Sequence, residues 1–304
     1  MDICINGNKA DITLEKEKTV GDIMAGLDNW LTGPHCNSGL SETANFRLSG
    51  LVIDGKTIDV QSLEDSFGID LASVETLDII ISSLPELTVQ ALLETQKLIK
   101  TWEDTDFSGR QSFAENWKTY PAAALLLEQY PELYAMTAQT LLGEGPGAGV
   151  LESVINERLR ELENPAQELA GMEKLIGDIA GRLENLPLDI QTGKDRQASE
   201  TVQIFTGITA KIFRIFGILK NSGFPVGQIK VQAQSNPITI GQNNKAAPAE
   251  IPIGNFLNEF NTVLSEMLAA YEQKDAVLVG DLAEYEMAPR LRSFYTALKF
   301  PAAA

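Results

Sequence analysis

The chain has little of the two residue types that many enzymes and metal sites depend on. Its 304 residues include two cysteines and one histidine. Two cysteines cannot build a disulfide framework or a four-cysteine zinc site. His35 and Cys36 are neighbours in a polar segment, and adjacent residues do not readily form the hydrogen bond that activates a nucleophile. We therefore predict a cytoplasmic protein with no cofactor and no cysteine or histidine active site.

Long apolar runs and an excess of basic residues are also missing. No run of about 18 apolar residues is present, and the first residues alternate apolar and polar positions, so we predict neither a membrane span nor a secretory signal. Against 24 Lys and Arg stand 42 Asp and Glu, which gives a formal charge of −18. Such a charge repels nucleic-acid phosphates and anionic lipid surfaces. It favours a protein partner with a basic surface.

Residues 1–84 change their hydrophobic period several times. DICINGNKADITLEK alternates as two strands around Gly7-Asn8, and FRLSGLVIDGKTI predicts a second strand pair around Asp54-Gly55. TVGDIMAGLDNWL has helical spacing with Thr19 as its N-cap. ETLDIII predicts a last strand. These elements give the order β-β-α-β-β-turn-β.

This order resembles the β-grasp fold of ubiquitin-like proteins over residues 1–84. The resemblance implies a domain that can serve as a docking surface. Conjugated ubiquitins and sulfur carriers act through a free Gly-Gly end directly after the last strand. Here that strand continues into SSLPELTVQALL, so the resemblance does not imply carrier chemistry.

Helical periodicity dominates from Pro85 onwards. The apolar stripe between Phe205 and Leu219 predicts a core helix. In QIKVQAQSNPITIG the period changes to two, which predicts a small β-hairpin inserted at about residues 226–242. The sequence therefore predicts an α+β protein. It has a β-grasp domain over residues 1–84 and a larger all-α helical-bundle domain over residues 85–304 that carries the hairpin.

The stretch DTDFSGRQSFAE has nearly the spacing of an EF-hand calcium loop. The oxygen ligands would come from Asp104, Asp106, Ser108, the carbonyl of Arg110 and Glu115. Against this, Gln111 occupies a position that is usually apolar, and no second such loop is present. The alternative is a turn between two helices, capped by its own Asp and Ser, with Gly109 as a left-handed residue. We favour the turn.

The segment DAVLVGDLAEYEMAPRL (275–291) places carboxylates in line with apolar residues. The stripe that contains Phe294 extends back at helical spacing through Glu284 and Asp281, and Pro289 would kink the helix. Burial of these carboxylates would require cations, for which Lys211 or Arg214 are the first candidates. A solvated face, a partner interface or a metal site are the alternatives. The structural or interface candidates are Asp281, Glu284, Tyr285, Pro289, Lys211 and Arg214.

YEQKDAVLVGDLAEYEMAPRL is similar to the closing helices of uncharacterised bacterial helical proteins, some of them associated with motility. The resemblance covers about twenty residues and implies no active site. By elimination, the sequence indicates a non-enzymatic protein–protein interaction module, such as an adaptor, a scaffold or an export-type chaperone. The alternatives are a calcium-binding helical protein that uses Asp104–Glu115 and a metal- or carboxylate-dependent enzyme that uses Asp281 and Glu284.

Overall fold

A computed structural model describes residues 1–58 apart from 12, 15 and 33–45, residues 63–232 apart from 223, and residues 250–302. The chain divides into two compact units, Met1–Leu162 and Glu163–Ala304. The domain boundary predicted between residues 84 and 85 falls inside the first unit and stays a prediction. His35 and Cys36, the neighbours in the polar segment, are outside the described residues.

The first unit begins with a mixed β-sheet. Its described strands are β1 (Asp2–Ile5), β2 (Asn8–Lys9), β3 (Phe46–Ile53), β4 (Lys56–Ile58) and β5 (Thr76–Ser83). Their order across the sheet is β2-β1-β5-β3-β4. β1 and β5 run parallel, with Ile3 opposite Leu77, and the other neighbouring strands are antiparallel. The first and last strands of the sheet therefore lie side by side at its centre.

Two tight turns connect the hairpins of this sheet. Asn6-Gly7 and Asp54-Gly55 both have positive φ angles, between 51° and 77°, as a type I′ hairpin turn requires. The first turn lies one residue earlier than predicted, and the second lies where it was predicted. Asn6 Oδ1 accepts a hydrogen bond from Ile81 N (2.9 Å), and Asp54 Oδ1 accepts one from Thr76 N (2.7 Å). Both turns are thus anchored to β5.

Two helices accompany the sheet, α1 (Val20–Thr32) and the short α2 (Leu63–Ser66). As predicted, Thr19 caps α1: its Oγ1 accepts from Asp22 N (3.2 Å), and Asp22 Oδ2 accepts from Thr19 N (3.0 Å). The sheet core consists of Ile3, Val20, Ile23, Met24, Leu51, Ile53, Leu63, Leu71, Val74, Leu77 and Ile79. This arrangement is compatible with the predicted β-grasp.

The remainder of the first unit is helical. Its α-helices are α3 (Leu84–Asp104), α4 (Phe107–Asn116), α5 (Pro121–Gln129), α6 (Pro131–Leu142) and α7 (Ala148–Glu163). Ser83, the last residue of β5, is also the N-cap of α3, and it forms a capping box with Glu86. The strand therefore passes into the helix without a loop. The helices enclose a core of their own: Leu92, Leu98, Ile99, Trp117, Ala123, Leu126, Leu133, Leu141, Ala148, Leu151, Ile155 and Leu159.

The second unit is mostly helical as well. It contains α8 (Pro165–Gly171), α9 (Glu173–Glu184), α10 (Leu186–Gln191), α11 (Asp195–Asn221), α12 (Ile253–Glu272), α13 (Ala276–Asp281), a π-helical segment (Leu282–Met287) and α14 (Ala288–Ala302). Within its core, Phe294 of α14 packs against four other phenylalanine rings at centroid distances of 5.3 to 6.3 Å. The sheet of the first unit and these helices confirm the predicted α+β class.

Helix α11 carries the apolar stripe that was predicted to lie in a core. Phe205, Ile208, Ile212, Ile215 and Leu219 are buried in the core of the second unit, so this prediction is confirmed. Over the described residues, α11 is also the one helix whose length and composition would allow it to cross a bilayer. Of its most apolar 18-residue stretch, 33% is buried in the protein. The expectation that no segment spans a membrane stays a prediction.

A small antiparallel strand pair belongs to the second unit. β6 (Lys230–Gln232) pairs with β7 (Glu250–Pro252), with Val231 opposite Ile251. A strand pair was predicted here, but its second strand was expected before residue 242. Residues 233–249, which include that predicted strand, are outside the described residues. Ile253 N donates to Ile229 O (3.1 Å), so the pairing continues to the first residue of α12.

Candidate docking surface on the closing helices

Helices α12 and α13 form a tightly connected pair. Lys274 has a φ of 57°, and Asp275 N donates to Ala270 O (2.9 Å). Asp275 is also the N-cap of α13, because its Oδ1 accepts from Leu278 N (3.0 Å). The turn between the two helices is therefore fixed by backbone and side-chain hydrogen bonds.

One side of this pair faces the core. The buried residues of α12 recur every three or four positions: Ile253, Phe256, Phe260, Val263, Met267 and Ala270. On α13 and the π-helical segment, the buried residues are Val279, Gly280, Leu282, Ala283 and Met287. A Cβ atom on Gly280 would lie 3.2 Å from Pro187. Glycine at this position permits the close approach of α13 to α10.

Five large apolar side chains on the same elements are exposed to solvent. Their exposed fractions are 59% for Leu268, 52% for Tyr271, 74% for Val277, 43% for Leu278 and 52% for Tyr285. We call these five residues, together with Asp281 and Glu284, the α12–α13 surface. Such a concentration of exposed apolar side chains is typical of an interaction site.

Carboxylates lie among these apolar residues. Asp281 is exposed and Glu284 is half-buried. A hydrogen bond to the Glu284 carboxylate raises the pKa of the Tyr285 phenol, and the nearby charge of Asp281 raises it further. The phenol therefore stays protonated as a hydrogen-bond donor. Glu272 and Asp275 are also exposed near the turn, so the charge around this surface is mainly negative.

The buried ion pair that was predicted for Asp281 is wrong, whereas the pair predicted for the half-buried Glu284 stays a prediction. Lys211 Nζ lies 2.7 Å from the carboxylate of Glu168 on α8, and Arg214 is half-buried on α11. Asp281 is exposed to solvent, which agrees with the alternative of a solvated or interface face.

The cause of this error is the π-helical segment between Asp281 and Ala288. A π-helix has more residues per turn than an α-helix, so the α-helical phase cannot be extended through it. Pro289 is the second residue of α14 and directly follows the π-helical segment and Ala288. The nearly buried cation of this region is Arg290, 9% exposed, which pairs with Glu286 one turn before it.

The stretch considered as a calcium loop is a turn between two helices, which is the interpretation that the sequence favoured. α3 ends at Asp104 and α4 begins at Phe107, so most of the twelve residues are helical and cannot wrap around an ion. Glu115, the predicted bidentate ligand, accepts a hydrogen bond from Gln111 (2.8 Å). Over the described residues, no group of three or more His, Cys, Asp or Glu could hold a metal ion. This finding also applies to the metal site considered at Asp281 and Glu284.

Asp106 caps α4, as the alternative interpretation predicted. Its Oδ1 accepts from Gly109 N (2.9 Å), and Ser108 Oγ donates to the same carboxylate (3.1 Å). Gly109 is not left-handed, which corrects that part of the prediction. A Cβ atom on Gly109 would lie 2.6 Å from Thr105 Cγ2 and 3.1 Å from Asp106 Oδ1. The glycine is therefore needed for the close contact with the cap.

Asp106→Ala is expected to lower the free energy of unfolding by about 1 kcal/mol, because the first backbone N–H groups of α4 lose their acceptor. Urea unfolding followed by circular dichroism measures this change. Asp106→Asn keeps a capping oxygen and is expected to stay close to wild type. Equal stabilities for the alanine variant and the wild type would contradict a capping role.

The segment Gly50–Thr57 reads GLVIDGKT and matches the letters of a phosphate-binding P-loop. The structure places these residues in β3, the Asp54-Gly55 turn and β4. Their backbone groups take part in the strand pairing of the sheet, and a strand follows the glycine where a P-loop has a helix. This stretch is therefore not a phosphate site.

Sequence reasoning found Asp281, Glu284 and Tyr285 but missed Leu268, Tyr271, Val277 and Leu278 as exposed residues. A signal was present in α12. Leu268 and Tyr271 each follow a buried residue of the stripe by one position, which rotates them about 100° away from the core. The helical period of α12 therefore indicates that Leu268 and Tyr271 are exposed.

Two family models match parts of the chain. Residues 1–83 match the model described as the TP0873 N-terminal domain, and residues 167–297 match a domain of unknown function, DUF8042. No curated protein and no solved structure matches the chain. The second match contains α9 to α13 and most of α14, and therefore the whole α12–α13 surface. The chain thus joins an N-terminal region similar to the TP0873 N-terminal domain to a helical region similar to DUF8042.

Proposed function

We propose that this protein is a non-enzymatic cytoplasmic interaction module that binds a basic, amphipathic segment of another protein through the α12–α13 surface. An adaptor, a scaffold and an export-type chaperone all fit this role. One observation carries the proposal: five large apolar side chains, 43% to 74% exposed, lie among carboxylates on α12, α13 and the π-helical segment that follows them.

The composition of the surface determines the chemistry of the partner. Tyrosine and leucine side chains supply contact area, and tyrosine is enriched among the residues that dominate binding energy. The carboxylates around them attract Lys and Arg, and the formal charge of −18 accelerates the approach of a basic partner. A helix with leucines on one face and lysines beside them matches both properties. Nucleic acid and anionic membranes would be repelled.

We also propose that the N-terminal region is a ubiquitin-like β-grasp domain. The strand order and the parallel central pair support this assignment. The domain would offer a second docking surface without carrier chemistry, because Ser83 at the end of β5 directly caps α3. A motility role, which the similarity of the closing segment implied, stays a prediction.

The proposal can be tested with a defined probe. A fluorescent helical peptide with leucines on one face and lysines on the other is titrated with the protein, and its anisotropy is measured. The double variant Leu278→Ala/Tyr285→Ala is expected to bind the peptide at least about tenfold more weakly, since each exposed anchor contributes roughly 1 kcal/mol. The substitutions leave the net charge unchanged, so the test separates this surface from non-specific attraction.

Two controls make the result specific. Leu127→Ala removes a leucine of similar exposure, 53%, from the first unit, and it is expected to leave the affinity unchanged. A peptide with glutamates in place of the lysines is expected to bind weakly to every form of the protein. Equal affinity of the double variant and the wild type for the lysine peptide would end the proposal.

A further inference from the structure

Helix α13, the π-helical segment and α14 form one continuous helix. The backbone is helical at both junctions, with φ between −59° and −64° at Asp281, Leu282 and Ala288. Pro289 therefore lies in the interior of this long helix, where its missing N–H removes one backbone hydrogen bond. A π-helical turn inside such a helix is rare and frequently lies at a functional site.

The buried residues of this helix come in adjacent pairs. The pairs are Val279-Gly280, Leu282-Ala283, Met287-Ala288, Arg290-Leu291 and Phe294-Tyr295. Successive pairs begin three, five, three and four residues apart. An α-helix with one buried side requires steps of three or four residues, so the step of five contains one additional residue.

The additional residue lies on the outer side of the helix. Glu284, Tyr285 and Glu286 occupy the long step, and the central Tyr285 is 52% exposed while its two neighbours are half-buried. A step of four residues leaves room for only two residues between the pairs. Arg292 and Ser293 occupy such a step in α14, and both are half-buried. The wide turn thus gives Tyr285 an exposure that a regular turn of this helix does not provide.

Pro289 fits this wide turn better than a straight α-helix. In an α-helix, the ring of a proline meets the carbonyl group four residues before it, which here belongs to Tyr285. In the π-helical turn, Ala288 N donates to the carbonyl of Ala283, five residues before it. The longer turn gives the proline ring more room, so the proline and the additional residue support the same conformation.

We propose that the π-helical turn is a positioning element of the α12–α13 surface: its additional residue turns Tyr285 outward, where a partner can contact the ring. This inference rests on the proposed function, in which Tyr285 is one of the exposed anchors. The turn achieves this position without moving either set of buried pairs, because the pairs on both sides keep their place in the core.

Deletion of Glu284 tests the position of Tyr285. It shortens the long step from five residues to four, so the helix can continue as an α-helix while every buried pair keeps its side. Glu284→Ala is the matched variant, since it removes the same carboxylate, which raises the pKa of the Tyr285 phenol, but keeps the number of residues.

Tetranitromethane, which nitrates accessible tyrosines, reports the position of the ring through mass spectrometry. Tyr285 is expected to lose reactivity in the deletion variant relative to Glu284→Ala. Tyr271, 52% exposed on α12, is the internal reference and is expected to react equally in both variants. Equal reactivity of Tyr285 in the two variants would overturn the inference.

Pro289→Ala provides a second test that needs no ligand. In the deletion variant the proline ring meets the Tyr285 carbonyl of an α-helix, so Pro289→Ala is expected to raise its urea midpoint more than that of the wild type. Equal gains would contradict the part assigned to the proline. If the deletion alone unfolds the protein, the nitration comparison uses Pro289→Ala in both variants. A double variant that still does not fold would overturn the inference, because the buried pairs would then not share one α-helical phase.

The lysine peptide used to test the proposed function measures the consequence for binding. The deletion variant is expected to bind it about fivefold more weakly than Glu284→Ala, the share of one anchor side chain. A wild type that does not bind the peptide would end the proposed function, whatever the reactivity of Tyr285. Normal peptide binding by the wild type, with equal affinities of the deletion variant and Glu284→Ala, would overturn this inference alone.

Discussion

Phe294→Ala is expected to lower the free energy of unfolding of the second unit by about 3–5 kcal/mol. Phe294 is 0% exposed, and its ring contacts those of Phe213, Phe216, Phe256 and Phe260. Removing the ring forfeits its burial and leaves a cavity that four surrounding rings cannot fill by small shifts. This loss is a large fraction of the stability of an ordinary domain.

Hydrogen exchange measured by mass spectrometry locates the loss. Amides of α11, α12 and α14 are expected to lose protection, whereas those of β3 and β5 in the other compact unit keep theirs. Phe294→Leu retains most of the volume and is expected to cost much less than the alanine variant. A loss below about 1 kcal/mol in the alanine variant would show that these rings do not form the centre of the core.

Glu286→Ala is expected to cost about 2–3 kcal/mol, because it leaves the nearly buried Arg290 guanidinium without its carboxylate. The Arg290 side chain is 11% exposed and that of Glu286 is 27% exposed. Breaking a fully buried ion pair costs about 3–5 kcal/mol. Water reaches part of this pair, so we expect a value below that range.

Glu286→Gln is the matched variant for this pair. The amide oxygen can still accept from Arg290, so the glutamine variant is expected to lose clearly less stability than the alanine variant. Urea unfolding of both variants under identical salt conditions measures the difference. If the two variants are equally stable, the contact between Glu286 and Arg290 contributes little.

Much of the fold could be predicted from residue periodicity. The alternation of Leu77, Ile79 and Ile81 and the stripe from Phe205 to Leu219 each reflect a single element with one buried side. The Asp54-Gly55 pair specified a turn type through its backbone preferences alone. These features are local, so a short window of sequence contains all the necessary information.

The candidate site was predicted only in part, for two physical reasons. The π-helical segment Leu282–Met287 changes the number of residues per turn, and no residue type marks such a segment in advance. The partner of Lys211 is Glu168, 43 positions away, and periodicity carries no information about contacts at that distance. Asp281 was therefore identified as unusual but assigned the wrong surroundings.

The open space next to Phe113, Trp117 and Tyr120 illustrates a different limit. Phe113, Trp117 and Tyr120 recur at spacings of four and three residues, which predicts a buried stripe. Burial is what the structure shows for Trp117. Whether the space next to such a stripe is filled depends on the sizes of side chains on α3, which lie elsewhere in the sequence. A stripe therefore predicts a core but not a gap in it.

The parallel pairing of β1 with β5 determines when the sheet can form. Asp2 faces Thr76, so the central strands join positions about 70 residues apart, and closing so long a loop costs entropy before any contact compensates for it. The helical core of the first unit joins elements that lie closer in sequence, such as α3 and α5. On refolding, this core should therefore assemble before the sheet. During synthesis on the ribosome, the edge of β1 that pairs with β5 therefore stays unpaired until β5 has been made.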